Sequence, residues 1–207
     1  MDQATPRRFN EVCRRAGVAD ERAESVFRDL RALYSEENRA YHNLTHVDRM
    51  LSWLDESGEA SDPVELAIWF HDAIYDPLSS HNEAKSAQYF SDSLGLFIGG
   101  NLSEDVERLV MATDPTRSRS GREDEDLIID IDLSILGSQP EDYDAYQAAV
   151  RSEYSSVPDA EFSAGRRSIL QSFLSDRIYA TEFFSQLEEQ ARSNIKGELG
   201  ALEPTRS

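Results

Sequence analysis

Two segments of the sequence carry residue types on which metal chemistry depends. The stretch AIWFHDAIYDP places His71 and Asp72 inside an otherwise apolar run, and the stretch YHNLTHVDRML contains His42 and His46. Burying an imidazole beside a carboxylate costs free energy unless a partner compensates both groups. A divalent cation is one such partner. A hydrogen bond to a backbone carbonyl is the commoner explanation of a lone buried histidine, so that alternative stays open for each ring.

A third apolar stretch, LIIDIDLSILG, is interrupted by Asp130 and Asp132. Either acid taken alone is explained by a helix cap or a salt bridge. Three polar interruptions in one chain together supply two imidazoles and two carboxylates, a set suited to a first-row divalent ion. His42 and His46 share a helix face only if their helix begins before Leu44; otherwise His42 belongs to the preceding turn.

The charge of the chain limits its partners. The sequence contains 40 Asp and Glu against 21 Lys and Arg, a formal net charge of −19 over 207 residues. Such a surface repels long polyphosphate backbones, so duplex DNA or RNA is not expected as a partner, whereas a small anion is. The single cysteine, Cys13, excludes an internal disulfide. We see no secretory signal and no membrane-spanning stretch, and we expect a soluble, cytoplasmic protein.

The apolar spacing is helical almost throughout the chain. We predict an all-α fold of about nine helices forming a single domain over residues 1–197, with a disordered tail at 198–207. Residues 113–127 are polar and read as a loop, and residues 126–137 fit a strand or a helix equally well. The other segments predicted to be helical are 20–41, 44–57, 63–76, 81–95, 103–113, 140–155, 158–175 and 180–197.

The order His46, His71-Asp72, Asp132 resembles the H…HD…D signature of the HD superfamily of metal-dependent phosphohydrolases, which have an all-helical fold. The likeness extends to a chain of blocks over about residues 30–195. These blocks resemble those of a subgroup of small bacterial proteins described as predicted HD phosphohydrolases. They are YHNLTH, WFHDAIYDP, NEAKSA, DIDLSILG, VRSEY and FSAGRRSILQSFL.

The resemblance implies one divalent transition metal, which could be Mn, Fe, Co, Ni or Zn. Its ligands would be His46, His71, Asp72 and Asp132. Asp132 is preferred to Asp130 because the last acid of the family signature precedes a leucine. Relatives of this kind often carry a histidine where this chain has Thr116, in MATDPTR. The absence of that histidine favours a single metal ion and leaves open a loss of activity.

The resemblance further implies hydrolysis of a small phosphorylated substrate, with a nucleotide as the expected class. Asp72 and Glu83 are the expected catalytic residues, Glu83 as a general acid or base. A helix-start acid is the alternative for Glu83. Residues expected to contact substrate are Arg39, Tyr41, His42, Lys85, Arg151 and Arg166, although each could serve a structural purpose instead. His81 is expected to be an exposed loop residue.

Two alternatives to a hydrolase follow from the same residues. One is a non-catalytic regulatory module that binds a metal or a nucleotide without turning it over. The other is an iron-dependent oxygenase on the HD fold, which the four histidines of the sequence disfavour because such sites need more imidazoles. Metal-dependent turnover separates the hydrolase from the module, and a requirement for dioxygen separates it from the oxygenase.

Overall fold

Ten α-helices and three short 3₁₀ helices make up the regular structure in the computed structural model, which describes residues 4–59 and 61–202; no β-strand occurs in those ranges. The all-α prediction is confirmed, with ten α-helices against the nine or so expected. The chain divides into two compact units, Met1–Ile129 and Asp130–Ser207. Each unit is described below by itself.

The first unit contains six complete helices and most of a seventh. A 3₁₀ turn, Gly95–Phe97, joins the fifth helix to the sixth. The helices are α1 (Pro6–Arg15), α2 (Asp20–Leu33), α3 (Leu44–Ser57), α4 (Asp62–Phe70), α5 (Asn82–Ser93), α6 (Gly100–Ala112) and α7 (Glu123–Asp132), which crosses the boundary between the units.

Helix α4 is the centre of the first unit. Every residue from Val64 to Phe70 is buried, and α1, α3, α5 and α6 all pack against this helix. A short helix that is apolar on nearly every side is stable only when neighbours cover all its faces. Trp69 contacts the ring of Phe9 edge-on at 5.2 Å, and the Tyr34 hydroxyl donates to the Trp69 carbonyl at 3.1 Å. The His-Asp pair therefore follows directly after the most buried helix of this unit.

Two helices of the first unit end earlier than predicted. We expected a helix over 20–41, but α2 ends at Leu33, and Tyr34 turns inward from its C-cap position to reach α4. We expected a helix over 63–76, but α4 ends at Phe70. The following segment leaves the helix axis because both the amide and the carbonyl of Ile74 bond the Ser86 hydroxyl. These long-range bonds replace the local helical ones.

The polar loop is shorter than the predicted range 113–127, because α7 begins at Glu123. Acidic residues in the first helical turn are stabilised by the helix dipole. Arg108 adds hydrogen bonds to Asp124 and Glu125 at 2.5 and 2.8 Å. The ambiguous segment 126–137 is helical, since the end of α7 continues into a 3₁₀ helix at Leu133–Gly137.

The second unit packs its last helix against the elements that precede it. Helix α10 (Glu188–Ala201) contacts α9 (Asp159–Leu174) and the 3₁₀ helices Leu133–Gly137 and Phe183–Leu187. Helix α8 (Pro140–Glu153) contacts the first of those 3₁₀ helices. Here Gly137 is required by close approach, because a Cβ at this position would lie 2.6 Å from the Cβ of Leu187.

The predicted tail at 198–207 differs from the structure at its beginning. Helix α10 continues through Ala201, and Glu198 is buried because its carboxylate accepts from Arg166 Nε at 2.7 Å and from the Tyr143 hydroxyl at 2.6 Å. Residues 203–207 of the predicted tail lie outside the described residues. The apolar pattern alone gave no sign that an acid near the C-terminus is anchored from two other helices.

Candidate metal centre

His71 occupies the C-cap position of α4, with an α-helical backbone and its amide bonded to the Ala67 carbonyl. Its side chain is 1% exposed. The ring Nδ1–H donates to the Ile68 carbonyl at 2.9 Å, which fixes the orientation of the imidazole. A neutral imidazole that donates from Nδ1 keeps its lone pair on Nε2. His71 therefore presents Nε2 as a potential metal ligand, with the supporting hydrogen bond that metal-binding histidines usually make.

His46 lies in the first turn of α3, where the sequence favours a helix start. The Asn43 side chain caps the helix by accepting from the Thr45 amide at 2.8 Å. Helix α3 spans the residues predicted for it, so His42 precedes the helix and lies in the adjoining turn. His46 is buried, with 2% of its side chain exposed.

Three potential ligand atoms converge where these two segments meet. Nε2 of His46 lies 3.1 Å from Nε2 of His71, and Asp72 Oδ2 lies 3.0 Å from His71 Nε2 and 3.8 Å from His46 Nε2. Ligands held about 2.0–2.1 Å from one ion lie roughly 3.0–3.4 Å apart in octahedral or tetrahedral arrangements. The separation of the two nitrogens fits a shared ion, and the donor set of imidazole and carboxylate is of the right chemistry.

Electrostatics keep the Asp72 carboxyl in its charged form. Burial by itself would raise the pKa of Asp72, but in the absence of a cation the charge of a protonated His71 and its hydrogen bond, with further contributions from the charges of His42 and His46, hold that pKa well below its usual range. Positive charge beside Asp72 therefore compensates its buried carboxylate. The pair of residues singled out in the sequence thus forms part of one electrostatic cluster.

The two acids of the stretch LIIDIDLSILG, Asp130 and Asp132, lie in different environments. Asp130 is fully buried, and its carboxylate accepts from the Ala180 amide at 3.1 Å and from the amide and hydroxyl of Thr181 at 2.8 and 2.7 Å. These bonds compensate the buried carboxylate of Asp130, so its place in an apolar run is explained by a structural role. Asp132 is the last residue of α7 and is partly exposed.

Glu83 and Lys85 lie on α5, soon after the His-Asp pair in the chain. Glu83 is in the first turn of the helix and is half-buried, and Lys85 is exposed. His81 is also exposed and occupies the N-cap position of this helix without a side-chain capping bond. Thr116 lies in the exposed loop after α6, where its amide and hydroxyl both donate to Asp114 Oδ1 at 2.8 and 2.7 Å.

The arginines expected to meet substrate are engaged with the protein. Arg166 is buried, donates to Glu198 from Nε and Nη2, and donates to the Tyr146 hydroxyl from Nη1 at 3.1 Å. Arg151 donates to the carbonyls of Tyr154 and Val157 and to the Asp159 carboxylate after the end of α8. Both guanidinium groups therefore bond to oxygens of the protein within their own unit.

The polar loop between α6 and α7 contains three arginines, Arg117, Arg119 and Arg122. Arg119 pairs with Asp126 at 3.1 Å, and Arg122 lies 3.5 Å from Asp124, so both balance the acidic run of α7. A cavity of about 560 Å³ between α5, α6 and this loop is lined in part by Arg117 and Arg119. The three converging residues His46, His71 and Asp72 are not among those that line it.

Aromatic rings surround the histidines. Tyr41 lies 5.0 Å from His42 and 4.8 Å from His46 between ring centres, and His42 stacks on Tyr75 at 4.3 Å. Tyr75 was not among the predicted site residues, although it follows the His-Asp pair by three positions in the block WFHDAIYDP. The Ile68 carbonyl was also missed, because a backbone acceptor leaves no mark in the sequence.

Comparison with family models, with curated proteins and with solved structures returned no match for this chain. In the part of the chain that the structure describes, no helix is both long and apolar enough to cross a bilayer. The geometry around His46, His71 and Asp72 is therefore the basis on which a function can be proposed.

Proposed function

We propose that this protein is a metal-dependent phosphohydrolase acting on a small phosphorylated molecule, with a nucleotide as the favoured substrate class. The observation that supports this most strongly is the convergence of His46 Nε2, His71 Nε2 and Asp72 Oδ2, with 3.1 Å between the nitrogens. The likeness of the sequence to HD phosphohydrolases supplies the reaction class. The net charge of −19 favours a small anion over a polyanion as substrate.

The donor set favours a transition metal. Two imidazoles and a carboxylate suit Mn, Fe, Co, Ni or Zn better than Mg, which prefers oxygen ligands alone. We propose Asp132 as a further ligand from its place in the H…HD…D order of the sequence. His71 contributes more than a ligand atom, because its bond to the Ile68 carbonyl fixes which nitrogen faces the ion.

Side chains of α5 are proposed to manage protons and charge. A bound ion supplies Lewis acidity for attack of water on phosphorus. Glu83 accepts a proton from the attacking water and returns one to the leaving oxygen, so that the new O–P bond forms as the ester O–P bond breaks. Lys85 is exposed and supplies a cation to the phosphate. Tyr41 and His42 lie beside the histidine cluster, where planar rings suit contact with a base.

Metal content measured by mass spectrometry tests the site, using protein purified without a metal-binding tag. We expect about one transition metal per chain and its loss in His71→Ala, with His81→Ala as the control. A panel of nucleotides and phosphoesters then tests turnover, which chelation should abolish and the metal should restore. Protein that takes up no Mn, Co, Fe, Ni or Zn would overturn the site, and metal-loaded protein without turnover would overturn the hydrolase.

A second candidate is a regulatory module in which the ion stabilises the fold. The observation that favours it is burial, because only 2% of the His46 side chain, 1% of His71 and 13% of Asp72 are exposed. Structural metal sites are closed, whereas catalytic sites keep a position open for water or substrate. Metal that raises the melting temperature without supporting turnover on the panel would select this candidate.

A further inference from the structure

Arg39 lies in the connection between α2 and α3, and its side chain is 0% exposed. The guanidinium donates from Nη1 to the Asp72 carbonyl at 2.6 Å and to the His42 carbonyl at 3.2 Å. It donates from Nη2 to the Ala73 carbonyl at 2.9 Å and from Nε to the Glu36 carboxylate at 3.0 Å. One side chain thus bonds four oxygens, three of which belong to the backbone.

These bonds connect the two segments that carry the candidate ligands. Asp72 is itself a candidate ligand, and Ala73 follows it where the chain leaves α4. The His42 carbonyl lies just before Asn43, which caps the helix that carries His46. A shift of the guanidinium would therefore move the chain on both sides of the histidine pair.

We propose that Arg39 is a positioning residue that sets the separation of His46 and His71 and thereby the affinity and geometry of the metal site. The inference depends on the proposed metal site. This positioning role differs from the phosphate contact that the sequence led us to expect for Arg39. A side chain with 0% exposure offers no surface to a substrate.

Arginine is the residue type that this position needs. Its planar guanidinium carries five N–H donors in a fixed fork, which allows bonds to several oxygens in different directions. The ammonium of lysine is a single point with three donors and cannot reach the same set. The rings of Tyr34 and Tyr75 also lie 5.2 and 5.5 Å from the guanidinium carbon, where cation–π attraction holds its plane.

Cobalt(II) binding to the full chain tests the proposal, because visible absorption reports the coordination of cobalt and titration reports its affinity. We expect Arg39→Met to bind cobalt about 10–100-fold more weakly, as changes outside the ligand shell typically do, and to alter the absorption bands. Arg39→Lys should not restore either property. Arg22→Met is the matched control, since it removes guanidinium bonds to the Ser93 carbonyl at the end of α5 and contacts neither α3 nor α4.

Circular dichroism and thermal melting establish that each variant is folded at the temperature of the titration, and Arg39→Lys carries the test if Arg39→Met is unfolded. Wild-type affinity and absorption bands in a folded Arg39 variant would overturn the inference and leave the metal site intact. The same loss of affinity in Arg22→Met would also overturn it, because general destabilisation would then be the cause. Wild-type protein that binds no cobalt would overturn the metal site itself and this inference with it.

Discussion

Nε2 of His46 lies 3.1 Å from Nε2 of His71, although the two residues are separated by 25 positions in the chain. His71 donates its Nδ1–H to the Ile68 carbonyl, so a neutral ring turns its Nε2 lone pair toward His46. Without a cation, at least one proton has to lie among the two nitrogens and the Asp72 carboxylate, which is 3.0 Å from His71 Nε2. A divalent ion could accept both lone pairs, so the two rings lie where a metal ion could bind.

Metal binding is expected to stabilise the fold through His71. A ligand at about 100 times its Kd adds roughly 2.7 kcal/mol to the free energy of unfolding when it binds only the folded state. Mn or Co should therefore raise the melting temperature of the wild-type protein, measured by differential scanning calorimetry. His71→Ala should show no such rise, whereas His81→Ala, whose ring is exposed, should behave as wild type. An equal rise in His71→Ala would place the metal elsewhere.

Glu83→Gln should separate proton transfer from metal binding. The substitution keeps the size and the hydrogen-bonding capacity of the side chain but removes the base. We expect unchanged metal content and a kcat lower by about 10²–10⁴, the usual worth of a general acid or base. Glu104→Gln is the control, because Glu104 is an exposed acid on α6. Steady-state kinetics on the best substrate of the panel decide the matter, and retained kcat in Glu83→Gln would remove the residue from the mechanism.

Local signals in the sequence were sufficient for some helices. Helix α3 has the predicted bounds because Asn43 is a strong N-cap and Gly58 ends the helix with a φ of 73°. Helix α1 was not predicted, although Thr5 caps it through its side chain and Pro6 opens it.

The features of the fold that could not be predicted depend on contacts between residues far apart in the sequence. The early end of α2 accompanies the bond from Tyr34 to a carbonyl 35 positions away, and the burial of Arg39 follows from bonds to carbonyls 33 and 34 positions away. The sequence marked His71 and Asp72 as unusual because charge within an apolar run is visible locally. It did not reveal that Arg39 bonds the backbone near the candidate ligands. Every residue carries a backbone carbonyl, so residue identity does not show which carbonyls act as acceptors.

The stability of the first unit should fall in acid through the carboxylates around Arg108. Burial would raise the pKa of Asp124 and Glu125 from 3.8 and 4.5, but hydrogen bonds from Arg108 to both, and from Ser120 to Glu125, lower both values. A depressed pKa in the folded state stabilises the fold above the ordinary pKa, and this stability is lost as the pH falls through the lower one. Urea unfolding from pH 6 to pH 3 measures the loss.

Arg108→Met is the variant that isolates this contribution. Removing the guanidinium returns both carboxyls toward their ordinary pKa, so the variant should be less stable than wild type at pH 6 and lose less stability on acidification. Arg7→Met, which removes the exposed partner of Glu11, should change the acid profile much less, because solvent screens a surface ion pair. Parallel profiles for wild type and Arg108→Met would show that the Arg108 cluster does not contribute to the acid sensitivity.

Gly137→Ala should destabilise the second unit by overpacking. A Cβ at residue 137 would lie 2.6 Å from the Leu187 Cβ and 3.0 Å from the Leu187 carbonyl oxygen, so the 3₁₀ helix and its neighbour would have to separate. Forcing a methyl group into a packed interior typically costs about 1–3 kcal/mol.

Gly165→Ala is the matched control, because Gly165 lies within α9 and its added Cβ would have nothing within 4 Å. That change should stabilise the protein by roughly 0.5–1 kcal/mol through helix propensity. Urea unfolding should therefore give shifts of opposite sign for the same change of glycine to alanine, and equal shifts would show that the contact with Leu187 is not a close one.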